Sequence, residues 1–259
     1  MNAVRPYLGY NAINVVESNY NSNYHSLQVA VQKRFRHDSL VNFYYTFSHN
    51  LTNNQSDRST ALQNTYDPAA EYGPTQFDKR HIVTADFYYQ LPWYAEQKGV
   101  IGHLLGGWGT AGIVSASSGA PLTVTTSSVD PAGLGFLGAS AAGPRPNVNG
   151  NPNSGAPKTL AQFFNTSVFS QVPNGTIAAG NSGRGIVIGP GIQRWDISVL
   201  KDIKLPWETT GLQFRGEMFN AFNHTNFNAL GTTFGSSTFA TVTSVHDPRV
   251  VQLGLKFNF

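Results

Sequence analysis

From Arg249 to Phe259 apolar and polar side chains trade places at almost every step. Val251, Leu253, Leu255, Phe257 and Phe259 fall on alternate positions, with Gln252, Gly254, Lys256 and Asn258 between them. An extended chain throws successive side chains to opposite sides, so the segment predicts a strand with one oily and one wet face. The oily face runs to the last residue. A terminus in water frays and gains little from a large apolar group, whereas a tilted strand of about nine to eleven residues that crosses a bilayer needs such a face along its length.

The same rhythm recurs upstream. Leu27, Val29, Val31 and Phe35 alternate with Ser26, Gln28, Gln32 and Arg34; beyond a tight His37-Asp38-Ser39 turn, Val41, Phe43, Tyr45 and Phe47 alternate with Asn42, Thr46 and Ser48, which predicts a hairpin. Further strands are predicted around Val83 to Leu91, Trp108 to Ala116 and Trp195 to Ile203, and from Leu212 through Phe214 and Met218 to Phe222. The C-terminal segment makes seven, and residues 6–17 hold the candidate for one more around Tyr10, Ile13 and Val15. The connections alternate in length: 37–39, 92–104 and 205–210 are short, and 50–79, 119–192 and 223–247 are long. Outer-membrane barrels alternate in this way, with short periplasmic turns and longer extracellular loops. Two of the short links share Leu-Pro-Trp, at Leu91 to Trp93 and Leu205 to Trp207. Proline ends a ladder and tryptophan favours the membrane boundary, so Trp93 and Trp207 are expected as interface girdle positions.

Composition narrows the picture. Only 12% of residues are charged and 40% are hydrophobic, yet the mean hydropathy is −0.23: Asn, Ser, Thr, Gln and Gly dilute the apolar positions. No run approaches the 18 apolar residues of a membrane helix, so any span must be a strand. The chain has no cysteine, which removes disulfides and thiolate metal sites. A net charge of +3, with Lys33, Arg34 and Arg36 as the densest basic group, gives no footprint for nucleic acid.

Candidate chemistry is sparse. The glycines of 180–191 miss the dinucleotide spacing and read as a flexible approach to a strand. His25, His37, His49, His81, His103, His224 and His246 show no metal-ligand spacing and read as loop or rim residues. Asp78, Lys79, Arg80 and His81 read as a charged rim facing water or lipopolysaccharide, and the apolar island Leu160 to Phe169 as a short helix or the filling of a surface hollow. Arg215 and Glu217 share the wet face of one strand and are expected to face a lumen. Catalytic residues, cofactors and metals are not expected, and an enzyme is not predicted.

Four stretches in order, Asn23 to Val29, Phe77 to His81, Arg215 to Phe227 and Asp247 to Lys256, together resemble the C-terminal end of Oar-like TonB-dependent receptors, large outer-membrane proteins abundant in Acidobacteria. The resemblance covers essentially the whole chain and is strongest at 23–49, 77–91 and 193–259. It implies a carboxypeptidase-regulatory-like N-terminal domain, a plug and a barrel of about 22 strands in the intact protein. It implies TonB as partner through that plug, and it names no substrate.

The expectation is therefore an all-β, antiparallel up-and-down transmembrane β-barrel segment, residues 1–259, of about seven to eight strands from a larger barrel in the bacterial outer membrane. No leader and no plug are recognisable after Met1, and seven strands fall short of a closed barrel, so the chain reads as the last part of a receptor. The expected role is energised uptake of an unidentified ligand. Expected partners are outer-membrane lipid, lipopolysaccharide and the barrel assembly machinery, with Val251, Leu253, Leu255, Phe257 and Phe259 as the assembly signal. A passive porin, an adhesin-type barrel and a soluble β-sandwich binding module are the alternatives.

Overall fold

The computed structural model describes residues 18, 20–35, 39–54, 62–64, 67–126, 144–173, 178–205 and 211–258. Seven long strands form one sheet: β1 Ser22–Arg34, β2 Leu40–Thr52, β3 His81–Gln90, β4 Trp108–Ser117, β5 Ile192–Lys204, β6 Gly211–Phe219 and β7 Val250–Asn258. Each pairs antiparallel with its neighbour in sequence, so the sheet is a plain meander with β1 and β7 at its edges. Gly73–Pro74 adds a two-residue strand beside the end of β2.

The ladders carry the alternation across the whole sheet. One row of directly paired residues reads Val41, Phe87, Gly112, Ile197, Met218 and Val251. On the opposite face lie Asn42, Asp86, Asp196, Ser198, Glu217 and Gln252. Glycine at 112 makes room for its neighbour: a Cβ there would lie 2.6 Å from the tip of the Phe87 ring across the ladder, which would have to shift. The strands hold nine to thirteen residues. Nine residues at about 3.3 Å each, tilted by about 40° as in barrels, span about 23 Å, close to the apolar band of an outer-membrane wall.

Away from the short-link end, where Lys201 is buried, no second layer among the described residues covers the apolar face. Leu253 is 70% and Leu255 67% exposed, and Leu27, Val31, Phe43 and Phe47 are exposed beside them. Water does not tolerate an apolar surface that continues over seven strands. A second sheet stacked on those aromatics, as a soluble sandwich requires, is absent among the described residues. The polar face instead satisfies its groups across the strands: Asn42 donates to Asp86 at 2.8 Å, Gln32 to the Tyr44 hydroxyl at 2.8 Å, and Gln213 to Asp202 at 2.8 Å.

Several sequence expectations are corrected in detail. The short links run 35–39, 91–107 and 205–210 at one end of the sheet, and the long ones 53–80, 118–191 and 220–249 at the other. The middle short link is more than a turn, since it contains α1, Gly99–Leu105. β1 stops at Arg34, before Phe35. β6 stops at Phe219 and not near Phe222, because Asn220 takes a left-handed φ of 50° and the chain turns there. The proposed strand in 6–17, the centre of the 37–39 turn, Trp207 and Phe259 lie outside the described residues. No helix among the described residues is long and apolar enough to cross a membrane.

Candidate functional site

The long links do not hang as separate loops. They interlock into a cap, and the asparagines after β6 begin the construction. Asn220 and Asn223 both adopt left-handed backbone, with φ of 50° and 52°, a conformation asparagine tolerates better than most residues. Asn220 accepts from the His224 amide at 2.9 Å and donates to the carbonyls of His224 at 3.0 Å and Asp247 at 3.3 Å. Asn226 then accepts from the Gln193 amide and donates to the Gln193 carbonyl, both at 2.8 Å, as a strand partner would. One Asn-rich segment thereby ties the entry of β5 to the exit of β6 and the entry of β7.

The cap has a core. Val124, Phe163, Phe164, Phe169, Val187 and Ala240 are buried together, drawn from two of the long links. Phe164 is fully buried, and its ring meets Phe239 edge-on at 5.2 Å and Phe169 at 6.1 Å. Short pairings hold the backbone around them: Thr233–Phe234 runs parallel to Thr125–Thr126, Val187–Ile188 pairs with Pro121–Leu122, and the Phe163 amide donates to the Ala240 carbonyl at 2.8 Å. Phe163, Phe164 and Phe169 of the island Leu160 to Phe169 therefore fill a hollow, while Leu160 stays exposed, and no helix forms there. Glycine permits the closeness: a Cβ at Gly119 would lie 1.8 Å from the Gly189 carbonyl oxygen, and one at Gly180 2.0 Å from the Arg145 carbonyl oxygen. The glycines of 180–191 are thus packing positions rather than a flexible approach.

A buried polar knot fastens the first long link to the second. Arg145 makes a two-pronged pair with Glu71, at 2.9 and 3.1 Å, and donates to the Gln63 side chain. Glu71 also accepts from the Gln63 amide at 3.0 Å, and Gln63 donates to the Gly180 carbonyl at 2.7 Å. Glu71 is 1% and Arg145 4% exposed. Such a pair is costly to desolvate and is retained only with its partners in place. Arg184, also buried, donates to the Thr52 carbonyl at the end of β2. Burial holds its guanidinium below the ordinary arginine range, the Glu71 charge works against that, and the Arg145 charge adds to it.

Asp78 corrects another expectation. It is buried, and its carboxylate accepts from the Asn50 amide and lies against His49 Nδ1, each at 2.8 Å. That nitrogen is also 3.0 Å from the Arg80 guanidinium. It cannot donate to one and accept from the other at once; the tautomer that donates to the buried carboxylate leaves Asp78 satisfied. Asp78 is therefore an anchor for the end of β2, and only Arg80 and His81 of that group form the exposed rim.

Two cavities accompany the cap. One, of about 390 Å³, opens at the rim of the apolar face and is lined by His81, Val83, Ala116, Gln193, His224 and Asn226. The other, of about 320 Å³, lies against the polar knot and is lined by Gln63, Asp67, Arg145, Gly180 and Ser182 among others. Among the described residues no three His, Cys, Asp or Glu side chains come together as a metal site.

The expected site residues fall as follows. Val251, Leu253, Leu255 and Phe257 are on the exposed apolar face of β7. Arg215 and Glu217 lie on the polar face, 3.3 Å apart. Trp93 is at the short-link end and exposed. Sequence reasoning missed the Gln63, Glu71, Arg145 and Arg184 knot, whose members lie up to 121 residues apart in the sequence and carry no local pattern. It also missed Lys201, which interrupts the apolar face of β5. That interruption was the available signal.

An antiparallel meander with an uncovered apolar face, strands of bilayer length, short links at one end and a folded cap at the other is the wall of a bacterial outer-membrane β-barrel. The chain belongs to the outer membrane beta barrel domain family, which matches residues 1–252. No match was found among curated proteins or among solved structures.

Proposed function

We propose that this chain is wall and outer surface of a TonB-dependent receptor of the Oar-like kind, taking part in energised uptake of a ligand across the outer membrane. In outer-membrane barrels short connections face the periplasm and long ones the exterior, which sets the cap outside and the 91–107 link at the periplasmic rim. The polar face, with Arg215 and Glu217, then lines the lumen. The observation that carries the reading is the cap. Two of its links share a phenylalanine core, and a buried Glu71–Arg145 pair ties the third to them, so its outer surface has a fixed shape, as a ligand-contacting surface needs. The resemblance of four sequence stretches to Oar-like receptors supports the receptor class over other barrels. The role is structural and ligand-contacting, without a catalytic residue.

The test is energy dependence. In the native host, uptake of whichever tagged oligosaccharides, peptides or metal chelates require this gene is measured with and without a protonophore. A receptor loses accumulation when the proton gradient is dissipated, and cap variants lose it too. Uptake that requires the gene but persists in the protonophore would make the protein a passive porin, and adhesion without uptake would make it an adhesin barrel. The C-terminal strand is proposed as the signal read by the barrel assembly machinery. Replacing Phe259 with Glu should lower the protein's abundance in the outer membrane, and unchanged insertion would remove that role.

A further inference from the structure

At the short-link end the chain departs from what a turn requires. The 91–107 link is 17 residues long, and it exposes six large apolar side chains: Trp93, Tyr94, Val100, Ile101, Leu104 and Leu105, each between 49% and 86% accessible. Four of them belong to α1. At 100° per residue Val100, Ile101, Leu104 and Leu105 fall within an arc of about 140°, so one side of the helix is entirely oily. The opposite side is held to the protein: Gly102 is buried, and a Cβ there would lie 2.9 Å from the Gln97 backbone.

The helix is also tied to one particular face of the wall. Lys201 sits on the apolar face, directly paired with Trp108 and Phe214. Its Nζ donates to the carbonyls of His103 at 2.6 Å and Leu104 at 3.1 Å, and to that of Gly106, the last carbonyls of α1. Trp108 donates through Nε1 to the Leu104 carbonyl at 3.0 Å, and its ring lies 5.1 Å from the Lys201 nitrogen. A cation at the carbonyl end of a helix is favourable, and here it solves a second problem. A lysine on a lipid-facing strand is costly unless its charge leaves the hydrocarbon. Lys201 meets that need by fastening the end of α1 to the outside of the wall. Gln97 completes the attachment through the Asp202 carbonyl at 2.6 Å and the Lys204 amide at 3.0 Å.

We propose that the 91–107 link is a membrane foot, with α1 lying in the periplasmic leaflet of the outer membrane and its oily side among glycerophospholipid headgroups and the first acyl carbons. The occupant follows from continuity: the oily side of α1 extends the lipid-contacting face from which Trp108 and Lys201 project. Tryptophan, tyrosine and lysine beside it are the residue types of a bilayer interface. The inference rests on membership of the outer-membrane barrel family and not on the receptor reading, so it survives if uptake proves passive.

The cysteine-free chain permits a direct test. Single variants Leu104→Cys, Val100→Cys and Lys98→Cys of the full chain carry a nitroxide label and are reconstituted into phosphatidylethanolamine and phosphatidylglycerol vesicles. Collision with oxygen, which concentrates in the bilayer, is compared with collision with a water-soluble nickel chelate. The oxygen-to-nickel ratio at 100 and 104 should exceed that at 98 several-fold. Equal ratios at all three positions would overturn the foot and assign the surface to water or to another protein. In native outer membranes, access of a soluble thiol reagent to the unlabelled Leu104→Cys protein gives a second readout: slow modification agrees with the foot, and modification as fast as at Lys98→Cys refutes it.

Discussion

The wall and the cap of this chain invert each other. The wall is regular, hydrogen-bonded strand by strand, and leaves its large apolar side chains open. The cap is irregular, built from Asn, Gly, Ser and Pro, and it encloses the hydrophobic core of the described residues, with Phe164 at its centre. In an outer-membrane barrel such a wall needs no interior of its own, because lipid serves as the second layer and backbone groups in hydrocarbon are satisfied only by strand pairing. The cap sits in water and must make its own interior, so it gathers phenylalanines and one buried ion pair from segments far apart in the chain. Apolar content therefore says little about burial in this molecule. What decides is the solvent on the other side.

That contrast can be broken by paired substitutions. The largest effects are expected in the cap. Phe164→Ala should destabilise the cap by about 3–5 kcal/mol, as emptied aromatic core positions do. Phe43→Ala on the lipid-facing wall should cost well under half as much; urea-dependent protease cleavage of the cap, compared with heat-modifiable gel mobility of the wall, checks the pair. Comparable is Glu71→Ala, which strands Arg145 and Arg184 in a buried site and should cost about 3–5 kcal/mol, read as protease sensitivity of the cap with the wall intact. Third is the face test. Leu253→Arg should disfavour insertion by about 2–4 kcal/mol near the middle of the membrane, whereas Gln252→Arg, one residue away on the polar face, should leave outer-membrane yield nearly unchanged. Equal losses would deny the two faces their different surroundings. The smallest is Lys201→Met, which removes the donor from the His103 and Gly106 carbonyls at the end of α1 while Trp108 still donates to that of Leu104. About 1–3 kcal/mol of local stability should be lost, seen as faster hydrogen exchange in 99–107 with no change in the cap.

Much of the wall was legible because a strand's period is local. Phe43, Tyr45 and Phe47, or Leu253, Leu255 and Phe257, announce a face from five residues of sequence, and the alternation of short and long links orders the strands. The end of β6 was misplaced because the Phe214, Met218, Phe222 rhythm continues through the turn. Phe222 still meets Trp195 on the same side, at 5.6 Å, although Asn220 has already ended the strand. Asp78 was read as a solvated charge since nothing in Asp-Lys-Arg-His reveals that the Asn50 amide and His49 enclose it.

The sequence by itself determined the seven strands, which side of each is oily, and the end of the sheet that carries the long links, because period-two alternation and turn chemistry act over a few residues. Only the tertiary structure decided that two of the long links share one core, that Glu71 finds Arg145, and that Lys201 caps a helix on the outer side of the wall. Those contacts join residues separated by about 70 to 100 positions. Their strength comes from burial, which a chain acquires only once its distant parts have come together.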